Sequence, residues 1–374
     1  MRRVVWSIVV GVVVAASAIA GIALTRRDPV PPPASDAAAA ARRPRPSTGP
    51  SSSSTTTTTV GRRGSGSPVT LAFGGDVHFE GHLRAALLAN PAGVLAPVAP
   101  VLSRADIAMV NLETAITERG SPAPKTYTFR APAAAFDALR GAGVDVATMA
   151  NNHAVDFGPV GLADTLAATG QKGFPVVGIG ADDSAAYAPH RVNVRGQRIA
   201  VFGATDVLDD NLITAWTAAP GHPGLASTKG PGLDRLAAAV TAERPRADTI
   251  VVYLHWGIEG QTCPSPRQKE VAQRLAAAGA DVIVGAHTHR LQGGGRLVAS
   301  LVAYGLGNFV WYNEGGPRGA TGILEVTVTG RDIDSYRWVP ARITGGIPRP
   351  LDGPAATSAA EAWAASRSCT GLVP

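Results

Sequence analysis

From Val69 onward, short apolar runs alternate with segments whose apolar residues recur at helical spacing. Apolar runs bounded by glycine or polar residues are typical of strands buried on both faces of a sheet. On this pattern we predict strands at 69–73, 107–110, 144–149, 176–179, 199–202, 250–254, 282–284, 297–303 and 323–328.

The segments between these runs predict helices at 83–89, 132–139, 159–169, 233–243 and 266–278. The last helix has a signal at each end: Ser265-Pro266-Arg267-Gln268 is a capping-box pattern, and Gly279 follows the final turn. Because strands alternate with helices, the sequence predicts an α/β fold with a largely parallel or mixed sheet. It shows no internal repeat of fixed period.

Two stretches interrupt this alternation. Residues 204–231 are irregular and rich in glycine and proline, and a connection of that length often covers a site. Beyond Ile343 little periodicity remains, so we treat 346–374 as a C-terminal tail whose alanines favour a loose helix. The domain predicted to carry the fold is therefore 69–345.

The first 27 residues predict export. An apolar run from Val4 to Leu24, flanked by arginine pairs, is long enough to cross a bilayer as one helix. The alternative is a cleaved signal peptide, because Ala16-Ser17-Ala18 resembles a small-residue cleavage site. We favour the uncleaved anchor, since the run continues past that site. It would make the chain a single-pass membrane protein with an extracellular catalytic domain, whereas cleavage would make it a secreted one.

Residues 28–68 are a low-complexity mixture of Pro, Ala, Ser, Thr and Arg. Such a composition buries almost no apolar area, so we expect a disordered linker. Residues 1–68 also hold nine arginines and two aspartates, a net charge of +7 against +6 for the whole chain, which leaves about −1 for 69–374. A basic surface for nucleic acid on the folded part therefore has no support, and we expect no nucleic-acid partner.

The chain has two cysteines, Cys263 and Cys369. They fit an oxidising compartment, in agreement with export. The sequence leaves open whether they pair, which would attach the C-terminal tail to the domain.

Five of the predicted strands are followed, within a few residues, by side chains of the types that ligate metals. In chain order, these are Asp76 and His78, then Glu113, then Asn152 and His153, then His255, then His287 and His289. Each has a simpler explanation, such as a helix cap for Asp76 or a packed histidine for His255. In α/β sheets, however, sites form beyond the carboxyl ends of strands, and one shared site explains all five. The sequence therefore predicts a metal centre.

Glycines stand at two of these strand ends. Gly285 is expected to let the backbone turn sharply and so present His287 and His289 beyond the sheet edge. Gly74-Gly75 is expected to allow close backbone approach beside Asp76.

The donors are nitrogen and oxygen atoms without a thiolate, which disfavours a structural zinc site. Eight donor residues are too many for one ion but suit two ions about 3.5–4 Å apart that share a carboxylate. Such a pair acidifies a bridging water and stabilises the charge of a phosphoryl group as the leaving group departs. We therefore predict two divalent ions (Mn, Fe or Zn).

Seven sequence blocks resemble a known family. They are GGDVHFEG (74–81), VNLE (110–113), YTFRAP (127–132), ANNHAVDFG (150–158), HWGIEG (255–260), VGAHTHRLQG (284–293) and YGLGNFVW (304–311). Over about 69–312 the chain resembles the bacterial capsule-synthesis CapA family of poly-γ-glutamate synthesis, a branch of the calcineurin-like metallophosphoesterases. The resemblance implies a four-layer α/β/β/α sandwich, in which two sheets are flanked by helices.

The resemblance also implies a role for each site residue. Three residues would hold the first ion: Asp76, His78 and His289. Three would hold the second: Asn152, His255 and His287. Glu113 would bridge the ions and His153 would protonate the leaving oxygen. Asp156, to which the resemblance assigns no role, is a further candidate that could orient His153 or a ligand.

Two departures from the family pattern bear on activity. Glu113 stands where phosphoesterases usually have an aspartate, and Asn151 replaces the glycine of their Gly-Asn-His block. A longer bridging side chain could alter the metal spacing, so phosphatase activity does not follow from the resemblance alone.

Three further residues are candidate substrate contacts: Lys125, Arg130 and Glu259. Arg130 could bind a phosphate or a carboxylate in a bidentate manner, or could simply be exposed. Asn308 is expected to be a structural turn residue and not a ligand.

Two functions from different classes fit these residues. The first is an exported, membrane-tethered metal-dependent hydrolase that cleaves a phosphoester or related bond in an envelope polymer or its phosphorylated precursor. The second is a non-hydrolytic accessory protein, acting with other capsule-synthesis membrane proteins, whose metal site binds an anionic polymer. An accessory role would not need His153, so unchanged function in cells after His153→Ala would favour it.

Overall fold

A computed structural model of the protein describes residues 63–374. The predicted anchor or signal (1–27) and all but the end of the predicted linker (28–68) lie outside this range. Within 63–374, no helix has the length and apolarity needed to span a bilayer.

The strands of the described part follow the predicted runs, with additions. They are β1 Val69–Val77, β2 Ile107–Leu112, β3 Ala115–Ile116, β4 Arg130–Ala131, β5 Val146–Thr148, β6 Val176–Val177, β7 Ile179–Gly180, β8 His190–Val194, β9 Gln197–Thr205, β10 Gly224–Leu225, β11 Thr249–His255, β12 Val282–Ala286, β13 Leu291–Leu297, β14 Ser300–Leu306, β15 Asn308–Val310, β16 Ala320–Thr329, β17 Asp332–Thr344 and β18 Ile347–Pro350.

All five predicted helices are present, with shifts of a few residues at their ends, beside shorter ones. The helices are α1 His82–Ala89, α2 Ala99–Leu102, α3 Ala134–Gly141, α4 Gly158–Lys172, α5 Asp183–Ala186, α6 Ile213–Trp216, α7 Gly232–Glu243, α8 Pro266–Ala278 and α9 Gly353–Ala365, with 3-10 turns at Gly316–Gly319 and Ser366–Cys369. The capping box of α8 is confirmed, because the Ser265 and Gln268 side chains each bond the other's backbone N–H. Gly279 ends the helix in a left-handed conformation.

Two large sheets carry the fold. The first has the order β18-β17-β16-β1-β2-β5-β6, with β15 beside β1, and the second has the order β13-β14-β12-β11-β9-β8. Strands β1, β2, β5 and β6 are parallel, and so are β9, β11, β12 and β14. Antiparallel strands complete both sheets, namely β16 to β18 in the first and β8 and β13 in the second. The predicted α/β class with a mixed sheet is confirmed.

Successive side chains of a strand point to opposite sides of its sheet. Because the central strands are apolar at consecutive positions, each sheet is apolar on both faces. Leu71 and Phe73 of β1 pack between the two sheets with Tyr253 of β11. Their neighbours Ala72 and Val252 face outward, into two further clusters. This double burial explains why the central strands read as unbroken apolar runs in the sequence.

Helices cover the two outer faces. Leu83 of α1, Phe136 of α3 and Leu162 of α4 pack on the first sheet. Leu236 of α7 and Val271 of α8 pack on the second. The layers therefore follow the order helices, sheet, sheet, helices.

The C-terminal segment, predicted as a separate tail, contributes β18 and α9. Trp363 of α9 stacks on Trp338 of β17 with ring centroids 5.1 Å apart. A disulfide joins Cys263 to Cys369. Strands β17 and β18 escaped prediction because prolines and alternating polar residues, as in Ile347–Pro350, conceal their apolar positions.

The predicted strand 297–303 spans the turn of a hairpin: it holds the last residue of β13, the turn at Val298, whose φ is 57°, and the first part of β14. Three glycines in β13 remove the apolar pattern that predicts a strand. They are needed because an added Cβ on Gly293 would overlap the backbone of Arg367 in the C-terminal segment.

Candidate metal centre

The carboxyl ends of five strands from both sheets meet at one place. Strands β1, β2 and β5 of the first sheet lead to Asp76, His78, Glu113, Asn152 and His153, and strands β11 and β12 of the second lead to His255, His287 and His289. Contacts join the two sheets: the His287 backbone N–H donates to Asp76 Oδ2 at 3.1 Å, and His255 Nε2 lies 2.7 Å from Asn152 Oδ1. The structure thus brings all eight predicted side chains into one mostly buried cluster.

Close backbone packing places Asp76. An added Cβ on Gly75 would overlap the carbonyl oxygen of Gly307, and the Asp76 N–H donates to that same oxygen at 3.0 Å. The expected close approach at Gly74-Gly75 is confirmed. It sets β1 beside β15, where Asp76 pairs with Asn308.

The turn after β12 differs from the expectation. Gly285 lies inside the strand and is not left-handed, so the prediction that it makes the turn is wrong. The left-handed positions are His287 and His289 themselves, with φ of 91° and 52°. Glycine is needed at position 285 because the Trp256 indole packs directly against it, and an added Cβ would overlap Nε1 of that indole.

Several buried ligand-type atoms lack a hydrogen-bond partner among residues 63–374. They are both carboxylate oxygens of Glu113, Nε2 of His78 and Nδ1 of His287. Buried polar atoms are nearly always paired, since an unpaired one costs about 1–3 kcal/mol. A divalent cation would satisfy these atoms, and imidazole with carboxylate is a donor set that Mn, Fe and Zn accept. The residues present therefore fit a metal.

Two sets of three side chains have ligand atoms within 4.8 Å of one another. One is Glu113, His287 and His289, and the other is Asp76, Glu113 and His255. Glu113 belongs to both, which agrees with a shared carboxylate. The sets combine ligands that the family resemblance assigned to different ions, so this geometry leaves the remaining ligands unassigned to one ion or the other.

Burial and neighbouring charges decide the protonation of the ligands. Burial, reinforced by repulsion from nearby histidines, lowers the pKa of His78, His255 and His287 well below the ordinary histidine value. Burial and then the charge of Asp76 raise the pKa of Glu113 well above its ordinary value. The three imidazoles are therefore neutral, the form that binds metals. Without a cation, ionised Glu113 is disfavoured.

His289 differs from the other histidines. Burial again disfavours its charge, but the hydrogen bond and charge of Asp76 prevail and raise the pKa of His289. Its Nδ1 lies 3.5 Å from Asp76 Oδ2 and 2.8 Å from Asn308 Oδ1. Asn308 therefore orients a predicted ligand. The prediction that it is a turn residue is wrong, because Asn308 begins strand β15 and the left-handed residue at the turn is Gly307, with a φ of 66°.

His153 is held from one side and faces Glu113 with the other. Its Nδ1 lies 2.6 Å from Asp156 Oδ2, and its Nε2 lies 3.7 Å from Glu113 Oε1. The Lys125 ammonium lies 2.9 Å from Asp156 Oδ1 and also donates to the Asn152 carbonyl. Burial lowers the pKa of His153, although the bond to Asp156 acts in the opposite direction. Asp156 thus orients His153, and Lys125 supports Asp156.

An open cavity of about 130 Å³ lies over the cluster. Its lining combines His153 and His289 with four aromatic rings and three polar residues: Tyr127, Phe129, Trp311, Tyr312, Glu259, Asn313 and Arg318. Glu259 is therefore placed where a substrate contact would be. Arg130 is not: its guanidinium lies 4.8 Å over the Phe157 ring, outside the lining.

Among the residues that organise or line the site, sequence reasoning assigned no role to Asn111, Asn151 or Arg318. Asn111 donates to Asp76 Oδ1 at 2.8 Å and lies 3.1 Å from His255 Nδ1. Asn151, in the place of the family's glycine, donates to Asn111 Oδ1 at 3.0 Å and accepts from the His153 N–H. Both stand next to predicted ligands in the quoted blocks. No sequence signal pointed to Arg318, which reaches the cavity from a 3-10 turn.

The chain is similar to known bacterial proteins. The family model described as bacterial capsule synthesis protein PGA_cap matches residues 70–313. The capsule biosynthesis protein CapA of Bacillus anthracis is 30% identical over 292 residues, covering 76% of this chain and 69% of that protein. A probable polyglutamine synthesis accessory protein of Mycobacterium tuberculosis is 31% identical over 252 residues, covering 64% of this chain and 66% of that one. This chain thus spans about two thirds of these relatives.

Among solved structures, one similar chain is a putative 5'-nucleotidase from Staphylococcus aureus in complex with alpha-ketoglutarate. It is 18% identical, with a TM-score of 0.46, and the match covers 79% of this chain and 58% of that one. At that TM-score the likeness supports no statement about function.

Proposed function

The chain belongs to the bacterial capsule synthesis protein family PGA_cap, and from this premise we propose that its metal centre hydrolyses phosphoesters in the cell envelope. The observation that carries the proposal is the position of Glu113. Its two unpaired, buried oxygens face the nitrogen donors of two strands from the other sheet, with the free nitrogen of His153 3.7 Å away. A cation site beside a proton donor is an arrangement that can catalyse phosphoester hydrolysis.

Two divalent ions, when bound, would polarise a phosphoryl oxygen and lower the pKa of a water. The residues proposed to hold them are Asp76, His78, Glu113, Asn152, His255, His287 and His289. Their burial excludes bulk water, which strengthens every charge interaction within the site.

The proton for the leaving oxygen comes from His153 in this proposal. Asp156 accepts from Nδ1, so the second proton of the imidazolium sits on Nε2, the atom that faces Glu113. Because burial lowers the pKa of His153, its imidazolium is a stronger acid than a free one, and it transfers its proton to the leaving oxygen, which then need not depart as an alkoxide. After the transfer, His153 remains neutral with its Nδ1 proton directed at Asp156.

The order of layers, helices outside two facing sheets, agrees with the sandwich expected of calcineurin-like metallophosphoesterases. We therefore extend the proposal to membership of that superfamily. The support comes from the position of the ligands at strand ends of both sheets, together with the family's sequence blocks.

The proposed location is the outer face of the cell membrane, with 1–27 as anchor and 28–68 as linker. The disulfide between Cys263 and Cys369 supports an oxidising compartment. The substrate class would be an envelope polymer, such as capsular poly-γ-glutamate, or a phosphorylated precursor. Other membrane proteins of capsule synthesis would be its partners.

A second candidate function is a non-catalytic accessory role in the synthesis or export of such a polymer. The observation in its favour is the name of the mycobacterial relative, a probable accessory protein. In that role the metal centre would bind anionic groups of the polymer without cleaving a bond.

The test uses the purified full-length chain. Bound metal is measured by mass spectrometry, and Mn²⁺-dependent hydrolysis of phosphate mono- and diesters is compared among the parent, Asp76→Asn and His153→Ala. We expect activity in the parent, loss of metal and activity in Asp76→Asn, and loss of activity with retained metal in His153→Ala. Bound metal without hydrolysis would favour the accessory role, and a parent that binds no metal would refute both.

A further inference from the structure

The cavity over the metal centre is lined by two exposed, opposite charges, Arg318 and Glu259. Neither forms an ion pair with any other residue in 63–374. Elsewhere on the surface arginines commonly meet a carboxylate, as Arg267 meets Asp206 at 3.1 Å. An unpaired guanidinium at the mouth of a cavity is available to an anion from outside the protein.

Arg318 lies at a different depth from the candidate metal ligands. Asp76, His78 and Glu113 are fully buried, whereas Arg318 is exposed. A phosphoester that reached the buried ligands would therefore leave its organic part in the cavity, with its far end toward Arg318. The guanidinium is thus placed for a group other than the phosphoryl group that reacts.

Aromatic rings line the cavity between the buried candidate ligands and the exposed Arg318. Phe129 stacks on His78 and on His153, with ring centroids 4.7 and 4.0 Å apart. Trp311 packs against His289 at 4.5 Å, and Tyr312, itself 37% exposed, continues this wall outward. Apolar walls with a few polar groups at the mouth are typical of sites for small organic molecules.

We propose that the substrate is a phosphoester whose organic part carries a second anionic group, and that Arg318 is the residue that recognises this group. The inference rests on the proposed phosphoesterase function and adds the substrate class to it. A carboxylate and a phosphate share the paired oxygens that a guanidinium binds with two parallel hydrogen bonds. These two anions are therefore the candidates for the second group.

Glu259 sets the side on which the second anion binds. Its carboxylate lines the same cavity, so an anion placed beside it would be repelled. Among the exposed residues of the lining, Arg318 carries the positive charge that attracts this anion. Removing the charge by Glu259→Gln should therefore strengthen the binding of doubly anionic compounds.

The test measures binding independently of turnover. The full chain, loaded with Mn²⁺, is titrated calorimetrically with three phosphonates that cannot be hydrolysed: benzylphosphonate, 4-carboxybenzylphosphonate and 1,4-xylylene bisphosphonate. The variants are Arg318→Gln and the control Arg349→Gln. Arg349 is also exposed and outside the cavity lining, and its replacement changes the net charge by the same amount.

We expect Arg318→Gln to raise the Kd of at least one doubly anionic probe about tenfold, and that of benzylphosphonate less than twofold. Arg349→Gln should leave all three unchanged. A loss confined to the carboxylated or to the bisphosphonate probe identifies the second anion. Equal affinities in the parent and Arg318→Gln, or an equal loss in Arg349→Gln, would overturn the inference.

Hydrolysis of phenyl phosphate, 4-carboxyphenyl phosphate and 1,4-phenylene bisphosphate by the same preparations separates this inference from the function on which it rests. Turnover without an effect of Arg318 on probe binding leaves the phosphoesterase standing and refutes the recognition of a second anion. An effect of Arg318 on binding without turnover refutes the phosphoesterase and retains Arg318 as an anion-recognition residue.

Discussion

At the scale of single residues, two candidate ligands hold an uncommon backbone conformation. His287 and His289 are left-handed, and for residues other than glycine this costs about 1–3 kcal/mol each. Hydrogen bonds to neighbouring strands oppose this cost: the His287 N–H donates to Asp76, and His289 Nδ1 lies 2.8 Å from Asn308. The strain is local to the turn that brings both rings to Glu113.

His153 carries the first residue-scale prediction. We expect His153→Ala to lower kcat about 10²–10⁴-fold on phosphate esters with alkyl leaving groups, because the leaving oxygen then lacks a proton donor. With p-nitrophenyl esters the loss should be much smaller, since that leaving group departs without a proton. Steady-state kinetics on both substrate types, with metal content as the control, checks this. An equal loss on both would contradict the role of His153 as an acid.

At the scale of elements, strand β12 contributes to the core along its length and leads to two candidate metal ligands, His287 and His289. Val282 and Val284 face the core between the sheets, and Ile283 faces the helices. Gly285 lies under the Trp256 indole, whose Nε1–H donates to the Tyr304 carbonyl at 2.7 Å. This close packing brings the end of β12 to the site.

Gly285→Ala should therefore lower the free energy of unfolding by about 1–3 kcal/mol, since the added methyl overlaps the indole. The matched control is Gly170→Ala in α4, where an added Cβ meets nothing within 4 Å. That substitution should stabilise the protein by about 0.5–1 kcal/mol. Urea unfolding monitored by circular dichroism measures both, and equal stability of the two variants would contradict the packing role.

At the scale of the whole molecule, the disulfide links the loop after β11 to the C-terminus. Cys263 and Cys369 are 106 residues apart in sequence. Lys269 donates to the Cys369 carbonyl at 3.0 Å, and α9 packs its Trp363 on Trp338. The C-terminal segment is therefore integral to the sandwich.

We expect the double substitution Cys263→Ser and Cys369→Ser to lower the free energy of unfolding by about 2–5 kcal/mol, because a long loop is no longer closed in the unfolded chain. Denaturant titration of the variant is compared with that of the parent with and without reductant. The reduced parent should match the variant. A variant as stable as the oxidised parent would show that the bond contributes nothing.

The metal-free protein should also lose stability in mild acid. Because the pKa values of His78, His255 and His287 are lowered in the fold, the unfolded chain binds more protons than the native one below about pH 6.5. The raised pKa values of Glu113 and His289 act in the opposite direction, whereas the lowered pKa values of His153 and His190 add to the loss, so the groups that destabilise the fold in acid are in the majority.

The net result should be a lower free energy of unfolding at pH 5 than at pH 7 in the presence of EDTA. Urea unfolding at the two pH values measures it. The double variant His255→Gln and His287→Gln should show a smaller difference. Equal stability of the parent at both values would contradict the burial of neutral histidines.

Much of this protein follows from local sequence. Apolar runs identified the central strands, because these are buried on both faces, and Ser265 to Gln268 identified the start of α8 through its own side chains. The donors at five strand ends were visible because parallel strands deliver their carboxyl ends to one edge. The sequence blocks indicated the family, which the match over 70–313 confirms.

Only the tertiary structure decided the rest. The Gly-rich β13 and the Pro-containing β18 are strands because of what packs on them, and their own residues do not favour it. Arg318 lines the cavity and Arg130 does not, although Arg130 belongs to a family block. Ligand types are local properties of a chain, whereas a cavity is formed by segments far apart in sequence, so its lining depends on how the two sheets face each other.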